Sequence, residues 1–128
     1  MPVQNQAPQT VEYTEFDTAP DLIVRLDDGD GNPIGLTGNM VTIDVAFVTY
    51  SDYYAPQGRI IADGVCVPDP DQVGHKGEVS WTPPEGALTP AGSFGYRFKI
   101  TYGDGRVQHV PPRTWLPLSI TTRLGGAT

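Results

Sequence analysis

The chain has one cysteine, Cys66, so it cannot form an internal disulfide. That is expected of a protein folded in a reducing cytoplasm. It has two histidines, His75 and His109, far apart in sequence, and neither has Cys or His at a metal-ligand spacing. Lys and Arg number 8 against 15 acids, giving a net charge of −7 and a pI near 4.5. The bases are scattered from Arg25 to Arg123. An acidic surface of this kind repels phosphate backbones and excludes sequence-independent nucleic-acid binding. No apolar run approaches the roughly 20 residues that span a bilayer as a helix. Met1 to Gln6 hold neither a basic segment nor an apolar core, so no secretory signal is expected.

Helix-forming stretches are also scarce. Gly 15 and Pro 13 make up over a fifth of the 128 residues, and these are the two poorest helix formers. The longest stretch without either runs from Asn39 to Ala55 and is rich in β-branched residues. A helical bundle is excluded, and the glycines lack the three-residue period of collagen. At 13.8 kDa the folded chain should bury roughly two thirds of its unfolded surface, enough for a core without disulfide or metal.

What remains is period-two alternation. Val41, Ile43, Val45 and Phe47 share one face of the longest expected strand, Met40 to Tyr50. Phe94, Tyr96, Phe98, Ile100 and Tyr102 alternate with Gly95, Arg97, Lys99 and Thr101. Shorter strands are expected at Val11 to Glu15, Leu22 to Leu26, Gly77 to Thr82, Arg106 to Val110 and Leu116 to Thr121. Arg59 to Ala62 and Val65 to Val67 read as two strands joined by a hairpin-like step at Asp63-Gly64. Pro117 assigns the last strand to an edge or irregular position. A short helical turn fits Pro84 to Thr89, ended by Pro90. The expectation is an antiparallel, immunoglobulin-like β-sandwich of about seven to nine strands, with a small barrel as the other option. Residues 1–10 read as an extended N-terminal arm, 11–124 as one domain and 125–128 as a C-terminal tail. The Met start and Gly-Gly-Ala-Thr end read as a complete small gene product. The arm, with Val3 and Gln4, is either a disordered tail or a segment that orders on a neighbouring subunit.

Chemical motifs are few. Asp28, Asp30 and Asn32 have the first three spacings of a calcium loop, but Pro33 and Asn39 stand where Gly and Glu are needed. The stretch therefore reads as a solvated turn, as do Asp69 and Asp71 among their prolines. There is no nucleophile elbow and no phosphate loop. No catalytic residue, metal site or cofactor is expected, and the chain reads as no enzyme. Trp81 alternates with Val79 and belongs in the core. Trp115 is either core or an exposed anchor. Tyr53 and Tyr54 lie in a tyrosine-rich loop that either packs over the sandwich or contacts a partner.

The order of the turn motifs carries a resemblance. Asp17-Thr18-Ala19-Pro20 leads into a strand, and Gly31-Asn32-Pro33-Ile34-Gly35-Leu36-Thr37-Gly38 follows. Gly77-Glu78-Val79 with Trp81, Ala91-Gly92-Ser93-Phe94 and Asp104-Gly105-Arg106 come later. Over Asp17 to Pro112 this resembles the N-terminal domain of the baseplate upper protein family of tailed bacteriophages, with Phe94 where that family usually has Tyr. The resemblance implies an immunoglobulin-like attachment domain of the virion, assembled in the host bacterial cytoplasm. It implies other phage structural proteins as partners, a homo-oligomer within the virion, and neither nucleic acid nor membrane. The chain stops soon after the domain, so an adaptor or minor tail protein of the tail or baseplate is expected rather than a receptor-binding fibre. A capsid decoration protein is the first alternative. A carbohydrate-binding sandwich using Trp115, Tyr53 and Tyr54 is the second, and a small hydrolase with an unrecognised site the least supported.

Overall fold

The computed structural model describes residues 10–48, 58–112 and 115–122. Nine strands follow in order: β1 (Val11–Thr14), β2 (Leu22–Arg25), β3 (Met40–Phe47), β4 (Arg59–Val65), β5 (Val67–Pro68), β6 (Glu78–Trp81), β7 (Gly92–Thr101), β8 (Val107–Val110) and β9 (Leu116–Thr121). Among the described residues there is no helix long and apolar enough to cross a membrane. Pro84 to Thr89 forms a turn with Ala87 N–H donating to Pro84 O, not a helix.

Two sheets make a β-sandwich. The larger has the order β1-β9-β7-β3-β4, with β8 also on β7; the smaller is β2-β6-β5. All pairings between these strands are antiparallel except β1 with β9, which is parallel. The two alternating segments form the centre, because β3 and β7 pair from Met40↔Thr101 to Phe47↔Phe94. Their inward residues Val41, Ile43, Val45, Phe94, Phe98 and Ile100 are buried. The smaller sheet supplies Leu22, Val79 and Trp81 to the same core. Tyr13 of β1 is buried, and its hydroxyl donates to Pro20 O at 2.8 Å. Among the described residues no buried side-chain N or O lacks a partner.

Two further local expectations differ from the structure. Asp63-Gly64 is no hairpin: β4 runs straight through it, with Ile61 and Gly64 both on β3 and the register shifted between them. The cause is a bulge. Asp63 takes a positive φ of 55°, and its N–H donates to Asp44 Oδ1 at 2.8 Å instead of to the ladder. Second, the strand holding Pro117 is not at an edge, since β9 lies between β1 and β7. Pairing with β1 starts only at Leu118, one residue later. At Pro117 the described neighbour is therefore β7, through Gly95, and the missing N–H interrupts no ladder there.

Cys66 is buried, and that burial pushes its thiol up to about 12. The thiolate is the reactive form. A thiol reagent at mildly alkaline pH is therefore expected to modify the native protein at least about a hundredfold more slowly than the unfolded chain. Comparable rates in the two states would show that Cys66 is open to solvent.

Candidate functional site

The outer face of the smaller sheet carries a cleft beside exposed aliphatic side chains. Alternation sends Leu22, Val79 and Trp81 inward, so Ile23, Ser80 and Val67 point out. These three stand in one cross-strand row, Ile23↔Ser80↔Val67. Ile23 is 65% exposed and Val67 60% exposed. A cleft of about 230 Å³ lies on this face. Asp21, Asp69 and Glu78 lie in its wall, and among the described residues no Lys, Arg or His lines it. Asp21 Oδ1 accepts the Thr82 hydroxyl at 2.8 Å. Arg25, opposite Glu78 in the register, turns instead to Asp27 in a two-point contact of 2.8 and 3.1 Å.

One end of the face is closed by the loop from Asp69 to Glu78. Gln72 holds it together. Its amide donates to Asp69 O at 2.8 Å, while its Oε1 accepts the N–H groups of Leu36 at 3.1 Å and Gly77 at 3.0 Å. Asp69 N–H donates to Glu78 O, and His75 N–H to Asp71 O, both at 2.9 Å. Asp69 Oδ1 accepts the Asp71 N–H, and Asp71 Oδ1 accepts those of Val73 and Gly74. The N–H groups of Gly74 and Val73 hold the Asp71 carboxyl below the usual carboxylate range. The turn reading of Asp69 and Asp71 therefore has a physical basis in these bonds.

The same loop does something that linear spacing does not show. It brings a donor atom of each of Asp69, His75 and Glu78 within 4.8 Å of one another. His75 Nδ1 is 3.3 Å from Glu78 Oε2. The hydrogen bond and charge of Glu78, then the charge of Asp69, raise the His75 pKa. His109 has the opposite setting: burial, then Arg97 and Lys99, lower it. By linear spacing His75 stands isolated, with no Cys or His near it. The available signal was the His75-x-x-Glu78 pair closing a turn that opens at Asp69. These three residues could hold a cation. Asp28, by contrast, turns its Oδ1 onto the N–H groups of Asp30 and Asn32 at 2.8 and 3.0 Å, as a solvated turn requires.

Of the proposed contact residues, Val3, Gln4, Tyr53 and Tyr54 lie outside the described residues. Trp115 is only 7% exposed. The Arg97 guanidinium carbon lies 6.0 Å from its ring centroid. Arg97 also donates to Pro111 O and Pro112 O, tying down the chain just before Trp115. Of the two placements open to Trp115, the buried one is observed, and this leaves little of the ring for a partner or a sugar to touch.

No family model matches the chain, and no curated protein matches it by sequence. Among solved structures, CopC from Methylosinus trichosporium OB3b is similar at a TM-score of 0.45 and 10% identity, over 89% of this chain and 85% of that one. A likeness at that level carries no argument about function.

Proposed function

We propose that the chain is a non-enzymatic structural protein of a tailed-bacteriophage virion, an adaptor in the tail or baseplate that binds other virion subunits. The observation that carries the binding role is the outer face of β2-β6-β5, with Ile23 and Val67 exposed beside three carboxylates. Burying aliphatic side chains at the centre of a contact, with charge at its rim, is how protein interfaces gain both affinity and register. The virion setting is supported by the ordered turn motifs from Asp17 to Pro112. Many copies acting together allow each contact to be weak. The partner surface is another phage structural protein, or a further copy of this chain.

Particles purified from a lysate of a phage carrying this gene provide the test. Mass spectrometry is expected to find the chain in them, and a cryo-EM map is expected to place the sandwich on the tail or baseplate. Density on the capsid would make it a decoration protein instead, and absence from the particles would overturn the reading. Within that test, Ile23→Asp with Val67→Asp is expected to reduce incorporation at least about tenfold, while circular dichroism shows the isolated domain still folded. Unchanged incorporation would remove this face from the interface.

A further inference from the structure

We propose that Asp69, His75 and Glu78 form a binding site for a divalent d-block cation, zinc being the probe of choice. This inference stands apart from the virion role.

The geometry comes first. One donor atom from each residue lies within 4.8 Å of the others. Zinc sits about 2.0–2.2 Å from His nitrogen and carboxylate oxygen, so two donors in a tetrahedral site are about 3.3–3.6 Å apart. Closing the triad onto an ion therefore shortens its donor separations by at most about 1.5 Å, shared between the side chains. The His75 and Glu78 side chains, 53% and 35% exposed, are free to make it. The backbone need not move. Asp69 and Glu78 are joined by the Asp69 N–H to Glu78 O bond, and Gln72 braces the loop between them.

The donor chemistry comes second. One imidazole and two carboxylates form a mixed N/O set that suits zinc and its neighbours. Calcium and magnesium prefer oxygen alone. Two carboxylates neutralise a divalent ion, and Asp71 adds negative charge close by. The cleft that Asp69 and Glu78 help to line has no cationic side chain among the described residues and lies open beside the triad. It leaves room for water or a partner's donor in the remaining coordination positions. Lys76, adjacent to His75, is drawn off toward Gly35, where its Cε comes within 3.5 Å of a Cβ built on that glycine.

The other thiol and imidazole donors among the described residues are poorly placed. Cys66 is buried as a thiol. His109 feels the positive charges of Arg97, Lys99 and Arg59.

Titration calorimetry of the full chain with zinc chloride tests the site, with the His ring resonances followed by NMR. One equivalent is expected to bind with saturation below about 1 mM, and the His75 ring signals are expected to shift. His75→Ala is expected to weaken binding at least about tenfold, and Glu78→Gln to weaken it severalfold. His109→Ala is expected to leave it unchanged. Both triad variants should fold, because the His75–Glu78 contact is a surface pair of small energetic weight; circular dichroism checks this. No saturable binding, binding that survives His75→Ala, or equally tight binding of calcium would each overturn the site.

Discussion

Trp81→Ala is expected to cost about 3–5 kcal/mol, the range for removing a large aromatic from a packed core. Trp81 is 2% exposed and sits on β6 of the smaller sheet. Its indole reaches across to the larger sheet. A Cβ built on Gly64 of β4 would lie 3.2 Å from the indole nitrogen, and 2.9 and 3.0 Å from Ile61 and Ile43 methyls. The ring is thus the plug between the sheets, and the absent side chain at Gly64 is what admits it. Alanine at position 81 would leave a void between the two sheets, lined by Ile61 and Ile43 near Gly64. Total stabilities of small domains are only about 5–15 kcal/mol, so the alanine variant is best read beside Trp81→Phe, which keeps most of the volume and should cost roughly half as much. Urea unfolding followed by circular dichroism gives both values. A loss below about 1 kcal/mol for the alanine variant would mean that Trp81 does not join the sheets.

Gly77→Ala is the second large effect. Gly77 has φ +86°, where a side chain costs about 1–2 kcal/mol by itself. A Cβ would also stand 2.8 Å from the Leu26 carbonyl oxygen and 3.1 Å from Pro33 Cβ. That oxygen is held in place, since it accepts the Ile34 N–H at 2.9 Å, and the Leu26 N–H in turn donates to Gly77 O at 2.8 Å. A loss of about 2–4 kcal/mol is expected. Gly31→Ala is the control. Gly31 has a similar φ of +84° but no atom within 4 Å of its built Cβ, so it should show the backbone cost alone, about 1–2 kcal/mol. Equal losses at the two sites would show that the loop yields to the added methyl.

These two positions also show what could be read from the chain. The alternation at Val41 to Phe47 and at Phe94 to Ile100 is a local property, and it gave the two central strands, their inward faces and the all-β class. Trp81 could be placed in the core because it shares a period with Val79. Which strands pair is decided by contacts between distant segments, so the parallel union of β1 and β9 left no local trace. The Asp63-Gly64 step had turn chemistry, and a bulge uses the same chemistry; only pairing with β3 on both sides separates them. The Asp69–His75–Glu78 triad was missed for a related reason. Its members are brought together by a loop braced through Gln72, which also accepts the N–H of Leu36, 36 residues away in sequence.

The smaller sheet ends in β5, a strand of two residues whose second is Pro68, with Pro70 just beyond. Proline offers no N–H to a neighbouring chain. This border therefore cannot act as a template on which further strands stack, the usual route by which open sheet borders lead to insoluble fibrils. Contact along this border therefore runs through side chains such as Val67, and side-chain contact can be selective for one partner where backbone pairing would accept many.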